Sequence, residues 1–437
     1  MELTIEKWIY GGDGLARMAP DQTGRGKAVF VPFVLPGETV DVEIAEERSG
    51  FARARLTGIR NASPGRVDPN CPYFYQCGGC QHQNADYAHQ LEWKRNILVE
   101  TLQRTAKIRL EDVRMHSAEP YQYRNRTRMK VSNNRGFAIG YHRLGTNDLL
   151  PVTECPISSP LIQRAIKETW KVGAAQNADG LREIQFFANH DDSRLLVEFY
   201  IDSDIPPQSL QSFAETLRDA LPAIAGIVVF STTLAEDADL APIAISKRGG
   251  SGMAFGDGSL EYATFATTFR VSAGSFFQTN RFLIDELVKT ATADFQGAMA
   301  LDLYAGTGLF SVSLAKRFDR VIAVEASPFS FRDLQHNVPA NVKPVHASTE
   351  KYLHDTGRSS GLDLVLVDPP RSGMGEHTAQ KLGQMGVPHI TYVSCDPATL
   401  ARDLRVLSAA GYRIESSHLV DLFPQTFHME TVVQLVR

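Results

Sequence analysis

The 437-residue chain has no run of 18 or more apolar residues, so no segment reads as a membrane-spanning helix. Its first residues, MELTIEKWIYGG, lack the apolar stretch of a secretory signal. Repeats and low-complexity segments are absent. A large excess of either charge is lacking too: 45 Lys and Arg against 50 Asp and Glu leave a net value of −5, which does not advertise a nucleic-acid binder. Cysteine is scarce, with five in all. These lacks point to a cytoplasmic, globular protein without disulfides, where grouped cysteines mean metal or catalysis. The length is too great for one core and suits two or three domains.

Those five cysteines each have a place. Cys71, Cys77 and Cys80 share the loop CPYFYQCGGC, with five residues and then two between them. Cys155 comes later, in TECPI. Four thiolates suit a 4Fe-4S cluster or tetrahedral zinc, and the three-plus-one layout favours the cluster over zinc's two close pairs. Pro72 and Pro156 each follow a ligand, as in iron–sulfur proteins. Cys395 stands apart in YVSCDPATL.

Charge is uneven locally. Residues 121–143 hold six Arg or Lys and no acid. Arg124, Arg126, Arg128 and Lys130 alternate, so on a strand they share one face and could track phosphates; a solvated strand face is the plainer alternative. Tyr121, Tyr123, Phe137 and Tyr141 could stack bases or fill a core.

Organisation follows from periodicity. Residues 1–58 read as short strands with glycine turns, a small β-barrel. Residues 59–107 contain the cysteine loop and a linking helix over YAHQLEWKRNILVETLQRT. Residues 108–270 are mostly strands, with a hairpin in EIQFFANHDDSRLLVEFYI. Residues 271–437 alternate strand and helix, which predicts an α/β fold: a Rossmann-like, doubly wound parallel sheet that binds ligands at the carboxyl ends of its strands.

Asp302, Glu325, Asp368 and Cys395 all fall at such ends. Gly306-Thr307-Gly308 turns from strand to helix without the third glycine of a dinucleotide fingerprint. Glu325, 17 residues past Gly308, is placed to accept ribose hydroxyls. The pair suggests an adenosine-containing cofactor, and S-adenosyl-L-methionine fits better than NAD because no pyrophosphate cradle is present. Asp368-Pro369-Pro370-Arg371 closes a buried strand, with an acid to meet the polar edge of a heterocycle. The thiol of Cys395 precedes a helix start, which would favour thiolate. His428 and Glu430, in DLFPQTFHMETVVQLVR, precede the last strand; His428 is as readily a packed side chain as a functional one.

The motifs DPPRSG, YVSCDPATL and FPQTFHME, in that order behind SFFQTN and LDLYAGTGLF, resemble the RNA (uracil-5-)-methyltransferase family. The resemblance is to bacterial 23S rRNA members with an N-terminal TRAM domain and an iron–sulfur cluster, and it is thin over about 160–260. It implies Cys395 as nucleophile and Glu430 as base. It places Gln278, Tyr304, Gly306, Gly308, Glu325 and Asp368 at the cofactor and uracil, with Phe276 stacked near the target base. It gives the cluster to Cys71, Cys77, Cys80 and Cys155, an OB-like RNA grip to residues 1–58, and RNA contacts to the strand of Arg124, Arg126, Arg128 and Lys130. The implied partner is RNA, most simply 23S rRNA, with no membrane and no DNA, bound by a monomer. A tRNA T-loop uridine methyltransferase would share the chemistry. An iron–sulfur redox protein and a non-catalytic RNA-binding module are the alternatives of other classes.

Overall fold

The computed structural model describes residues 1–19, 26–134, 136–176, 178–232, 254–292, 294–356 and 361–437. The stretch 233–253 of the expected central domain, and Arg135 of its basic segment, lie outside the described residues.

Six strands between Glu2 and Asn61 form the N-terminal sheet, with Ala28–Pro32 pairing parallel to Phe51–Arg53 and the other pairs antiparallel. Alternation sorts its faces: Val29, Val31, Val40 and Val42 turn inward with Leu3 and Ile5. Its outer cations are already matched, Arg55 with Glu43, Arg53 with Asp13, and Arg60 with Asp41.

The central sheet has seven strands, in the spatial order 149–151, 138–142, 126–132, 181–188, 195–202, 224–232 and 254–256. The expected hairpin is present, Leu181–Ala188 against Leu195–Asp202. Helices Pro160–Ala175 and Gln211–Ala220 cover one face through Leu161, Ile166, Phe213 and Leu217. The other face presents Phe187, Leu196, Tyr200 and Phe230 to the core of the last domain.

The last domain is an eight-stranded sheet in the order 342–346, 318–325, 297–303, 364–367, 389–394, 430–436, 413–420 and 114–116. Strand Leu364–Val367, buried at every residue, reads as continuous apolar sequence because helices lie on both faces. Only Glu430–Val436 runs antiparallel to its neighbours, so its first residue reaches the end where its parallel neighbours finish.

Three expected boundaries move. Helix Tyr87–Thr105 is no mere linker: Ile97, Leu98 and Leu102 are buried with Leu400 and Leu404 of the last domain. Arg114–His116 is the edge strand of that domain's sheet rather than part of the central one. The hairpin Ser259–Ala263/Thr268–Ser272 also packs there, through Leu260, Tyr262, Phe269 and Val271. Short apolar segments carry no label for the core they join, so sequence placed these cuts by order along the chain.

Candidate active site

The catalytic candidates converge at the carboxyl edge of the eight-stranded sheet. Ser394 pairs with Thr431, so the antiparallel register carries Cys395 and Glu430 to facing positions. Asp368 follows the neighbouring strand and acts on both electrostatically. Glu430 is 3% exposed, whereas Cys395 is half-buried. Burial, then Asp368, pushes the Glu430 carboxyl well above its ordinary range, against the opposing pull of Arg371. Burial, then Glu430, raises the Cys395 thiol to about 12. Burial raises Asp368 to about 7, helped by Asp302.

Sequence reasoning expected thiolate at Cys395 from the adjoining helix N-terminus, and the structure corrects this. Asp396 caps helix Pro397–Ala409, accepting from Ala398 and Thr399 at 2.9 Å each, so the helix's free N–H groups are spent on that carboxylate. With Glu430 and Asp368 as neighbours, the thiol of the ligand-free protein is neutral. His428 lies 3.2 Å from the Arg371 guanidinium, and burial, reinforced by that charge, lowers it to about 3. It accepts from Arg371 as a neutral ring and is poorly suited to act as a base.

The loop that delivers Glu430 is pinned from four directions. Lys94 meets Asp421 at 2.6 Å and the Phe423 carbonyl at 2.9 Å, with Tyr87 on the same carboxylate. Gln90 and Gln425 exchange two bonds of 3.0 Å. The N–H groups of Gln81 and His82 donate to the Gln425 carbonyl. Tyr123 donates to Pro424, and Asn280 to Leu422. These bonds hold Gln425 at φ +69°, a conformation costly for a residue with a side chain. Lys94, Gln90 and Gln425 were missed by sequence reasoning; a lysine and a glutamine on an otherwise amphipathic helix give no sign of burial.

The cofactor candidates ring the turn after strand Gly297–Leu303. Gly306 and Gly308 adopt φ +58° and +96°, and Tyr304 a positive φ of 63°. A Cβ on Gly306 would meet nothing within 4 Å, so the turn faces open space. Glu325 accepts from the N–H groups of Gly306 at 2.8 Å and Ser327 at 2.6 Å, which fixes its carboxylate beside that space. Asp302 bonds Ser311 through one oxygen, while its other, buried oxygen has no partner. Tyr304 reaches Glu350 at 3.3 Å. Gln278 is buried, and Phe276, two residues before it, stands 59% exposed. Asn280 ties their loop to the loop of Glu430.

The basic strand departs from expectation. Arg126, Arg128 and Lys130 do share a face, but burial changes along it: Arg126 is buried toward the last domain, while the side chains of Arg128 and Lys130 stay partly exposed. Arg126 is buried over the Phe187 ring at 4.1 Å and donates to the Ser275 carbonyl at 2.6 Å. Arg128 lies over Tyr200 at 3.7 Å and pairs with Glu183, which also holds Lys130. Arg124 bonds back to the Arg126 carbonyl. Glu183 thus already pairs with Arg128 and Lys130, and Arg126 is buried. Arg126 instead braces the loop of Phe276 and Gln278.

Cys71, Cys77, Cys80 and Cys155 line one cavity of about 230 Å³, with Arg124, Tyr141 and Pro156 also on its wall. Among the described residues, no three His, Cys, Asp or Glu side chains stand close enough to hold a single metal ion. Burial raises Cys71 and raises Cys77 to about 11, so a bound group would take the place of their protons.

Comparison with known proteins agrees with this geometry. The family model described as tRNA (Uracil-5-)-methyltransferase matches residues 86–437, and that of the TRAM domain matches residues 1–57. An RNA methyltransferase of Aquifex aeolicus, described as uncharacterized, is 30% identical over 446 residues, covering 100% of this chain and 98% of the relative. The 23S rRNA (uracil(1939)-C(5))-methyltransferase RlmD of Pectobacterium atrosepticum is 30% identical over 449 residues, covering 99% and 92%. The fold is that of the Pyrococcus abyssi tRNA (uracil-54, C5)-methyltransferase solved with S-adenosyl-L-homocysteine, with a TM-score of 0.75, 24% identity and full coverage of both chains.

Proposed function

Because this chain belongs to the tRNA (uracil-5-)-methyltransferase family, an S-adenosylmethionine-dependent class acting on RNA, we propose that it methylates carbon 5 of a uridine in 23S rRNA through a covalent adduct on Cys395. The observation that carries the mechanism is the facing of Cys395 and Glu430 across one antiparallel register, with Asp368 beside both. The rRNA assignment leans on the 23S rRNA relatives, which match over nearly the whole length of both chains.

Gly306, Gly308, Glu325 and Asp302 would hold S-adenosylmethionine, which would supply the methyl group. The chain's own residues do the rest. Cys395 gives its thiol proton to solvent and its sulfur adds to carbon 6 of the uracil, driving electrons into the ring so that carbon 5 becomes nucleophilic. Asp368, near half-protonated at neutral pH, can donate to a ring oxygen as negative charge gathers there. Once carbon 5 carries the methyl, Glu430 takes the remaining carbon 5 proton, the ring electrons expel the Cys395 sulfur, and 5-methyluridine leaves. Phe276, exposed on a braced loop, is placed to stack on the extruded base, whose unstacking costs a few kcal/mol. The N-terminal sheet's ion pairs are solvent-exposed and individually weak, so phosphates can displace their acids.

Cys71, Cys77, Cys80 and Cys155 would hold a 4Fe-4S cluster with a structural task, joining the loop 71–80 to the central domain. Supporting this are an all-thiol donor set and the cavity that the four residues share. Replacing Cys77 with serine should abolish the visible absorption of anaerobically purified protein and lower its bound iron, as measured colorimetrically; zinc in place of iron would defeat the reading.

The substrate test is incubation with labelled S-adenosylmethionine and unmodified 23S rRNA or tRNA transcripts, followed by nucleoside mass spectrometry. The expected outcome is 5-methyluridine in 23S rRNA alone. Label in tRNA alone would keep the chemistry and overturn the substrate.

A further inference from the structure

The mechanism above leaves unexplained why the N-terminal domain touches the chemistry at all. Its first hairpin, Lys7–Trp8 against Asp13–Arg17, turns through Ile9–Gly12, and that tip lies between the two catalytic loops. On one side the Tyr10 hydroxyl donates to the carbonyl of Cys395 at 3.4 Å and stands beside the Asp396 carboxylate. On the other side the Tyr10 ring meets Phe427 edge-on, with centroids 5.3 Å apart. Phe427 packs in turn on His428, two residues before Glu430.

The tip is built to stay there. Gly12, at φ +96°, has no room for a side chain, since a Cβ would lie 2.7 Å from Gln81 and 3.7 Å from Phe427. Gln81 itself accepts from the Phe427 N–H. Behind the tip, Trp8 donates to Val34 at 2.6 Å and stacks on His82 at 3.8 Å, and the His82 N–H bonds the Gln425 carbonyl. The hairpin is thus fastened to the same loop that delivers the base.

We propose that Tyr10 is a positioning residue for the nucleophile, so that the N-terminal domain completes the active site as well as gripping RNA. This rests on the reading of Cys395 as the adduct-forming thiol. A neutral hydrogen bond to the peptide that carries Cys395 fixes where its sulfur points. A sulfur displaced by a fraction of an ångström attacks carbon 6 less often. Within the last domain, Ser394 and Thr399 donate to the Asp396 carbonyl and so hold the loop after Cys395; Tyr10 adds a contact to the Cys395 carbonyl itself from the N-terminal domain.

The test separates positioning from RNA grip. Single-turnover adduct formation is followed with 5-fluorouridine-substituted 23S rRNA and tRNA transcripts in the presence of S-adenosylmethionine, over a range of RNA concentrations. Tyr10→Phe, which keeps the ring and removes only the hydroxyl, should lower the saturating rate about fivefold, the scale of one neutral hydrogen bond, with the half-saturating RNA concentration and filter-binding affinity unchanged. Gly12→Ala, which keeps the Tyr10 hydroxyl but moves the tip that carries it off Gln81 and Phe427, should lower the saturating rate in the same way. A higher half-saturating concentration at an unchanged saturating rate would assign Tyr10 to RNA contact and overturn the proposal. So would wild-type kinetics in both variants. Absence of adduct with either transcript in the wild-type protein would instead remove the Cys395 reading on which the proposal stands.

Discussion

Replacing Glu430 with glutamine should stop turnover while leaving RNA attached to the protein. Cys395 can still add and carbon 5 can still be methylated, but nothing then removes the carbon 5 proton and the sulfur cannot leave. Turnover should fall by roughly 10²–10⁴, the usual contribution of a positioned base, and a methyl-labelled protein–RNA adduct should survive denaturing electrophoresis. Cys395→Ala should give neither adduct nor product. Methylation by Cys395→Ala, or a Glu430→Gln protein that stalls without any adduct, would sink the covalent mechanism. The pH dependence follows from the same two groups. Burial raises Glu430 well above its ordinary range and Cys395 to about 12, and both must shed a proton to act. The rate at low RNA concentration should therefore climb across the neutral and mildly alkaline range instead of levelling below neutrality.

Lys94→Met should cost the protein about 3–5 kcal/mol, because it leaves Asp421 as an uncompensated charge in the interior. Both side chains are fully buried, their contact is 2.6 Å, and the same ammonium also serves the Phe423 carbonyl. Burial pulls the lysine down, while Asp421 holds the proton on. The double variant Lys94→Met/Asp421→Leu should recover most of the loss, since a buried pair exchanged for apolar groups of similar volume is often near neutral. Urea unfolding followed by circular dichroism measures both. A single variant within about 1 kcal/mol of wild type would show that the pair contributes little. The recovered double variant should still turn over slowly, because the loop that delivers Glu430 loses its anchor at Asp421.

Much of the site was legible because its residues occur at element ends with composition to match. The apolar run before Asp368 has no reading other than a buried strand, and the prolines after it stop that strand where a ligand must lie. Cys395 and Glu430 were found as separate candidates on separate segments. Their facing arrangement depends on an antiparallel strand inserted beside His389–Ser394, and no local pattern specifies which neighbour a strand will pair with. The four clustered cysteines were likewise legible as a set, since thiols so placed have few other uses.

The basic strand shows where reading from sequence stopped. Alternation correctly put Arg126, Arg128 and Lys130 on one side, because a strand's period is two whatever surrounds it. How that side is covered was decided by Phe187 and Tyr200, from neighbouring strands remote in sequence, and by the Ser275 carbonyl that Arg126 reaches. The protonation of Cys395 had the same origin: the helix start was visible, but the carboxylates of Glu430 and Asp368 arrive from other strands.

The sequence by itself determined the element types, the turn at Gly306–Gly308 and the thiol set, consequences of local composition and period, while the roles proposed for Cys395 and Glu430 came from the family resemblance. Only the tertiary structure decided that Glu430 faces Cys395, that Arg126 braces a loop instead of meeting phosphate, and that Tyr10 reaches the nucleophile from 385 residues away. Those outcomes depend on which surfaces are buried against each other. Burial is a property of the whole packed chain, and no short window of sequence contains it.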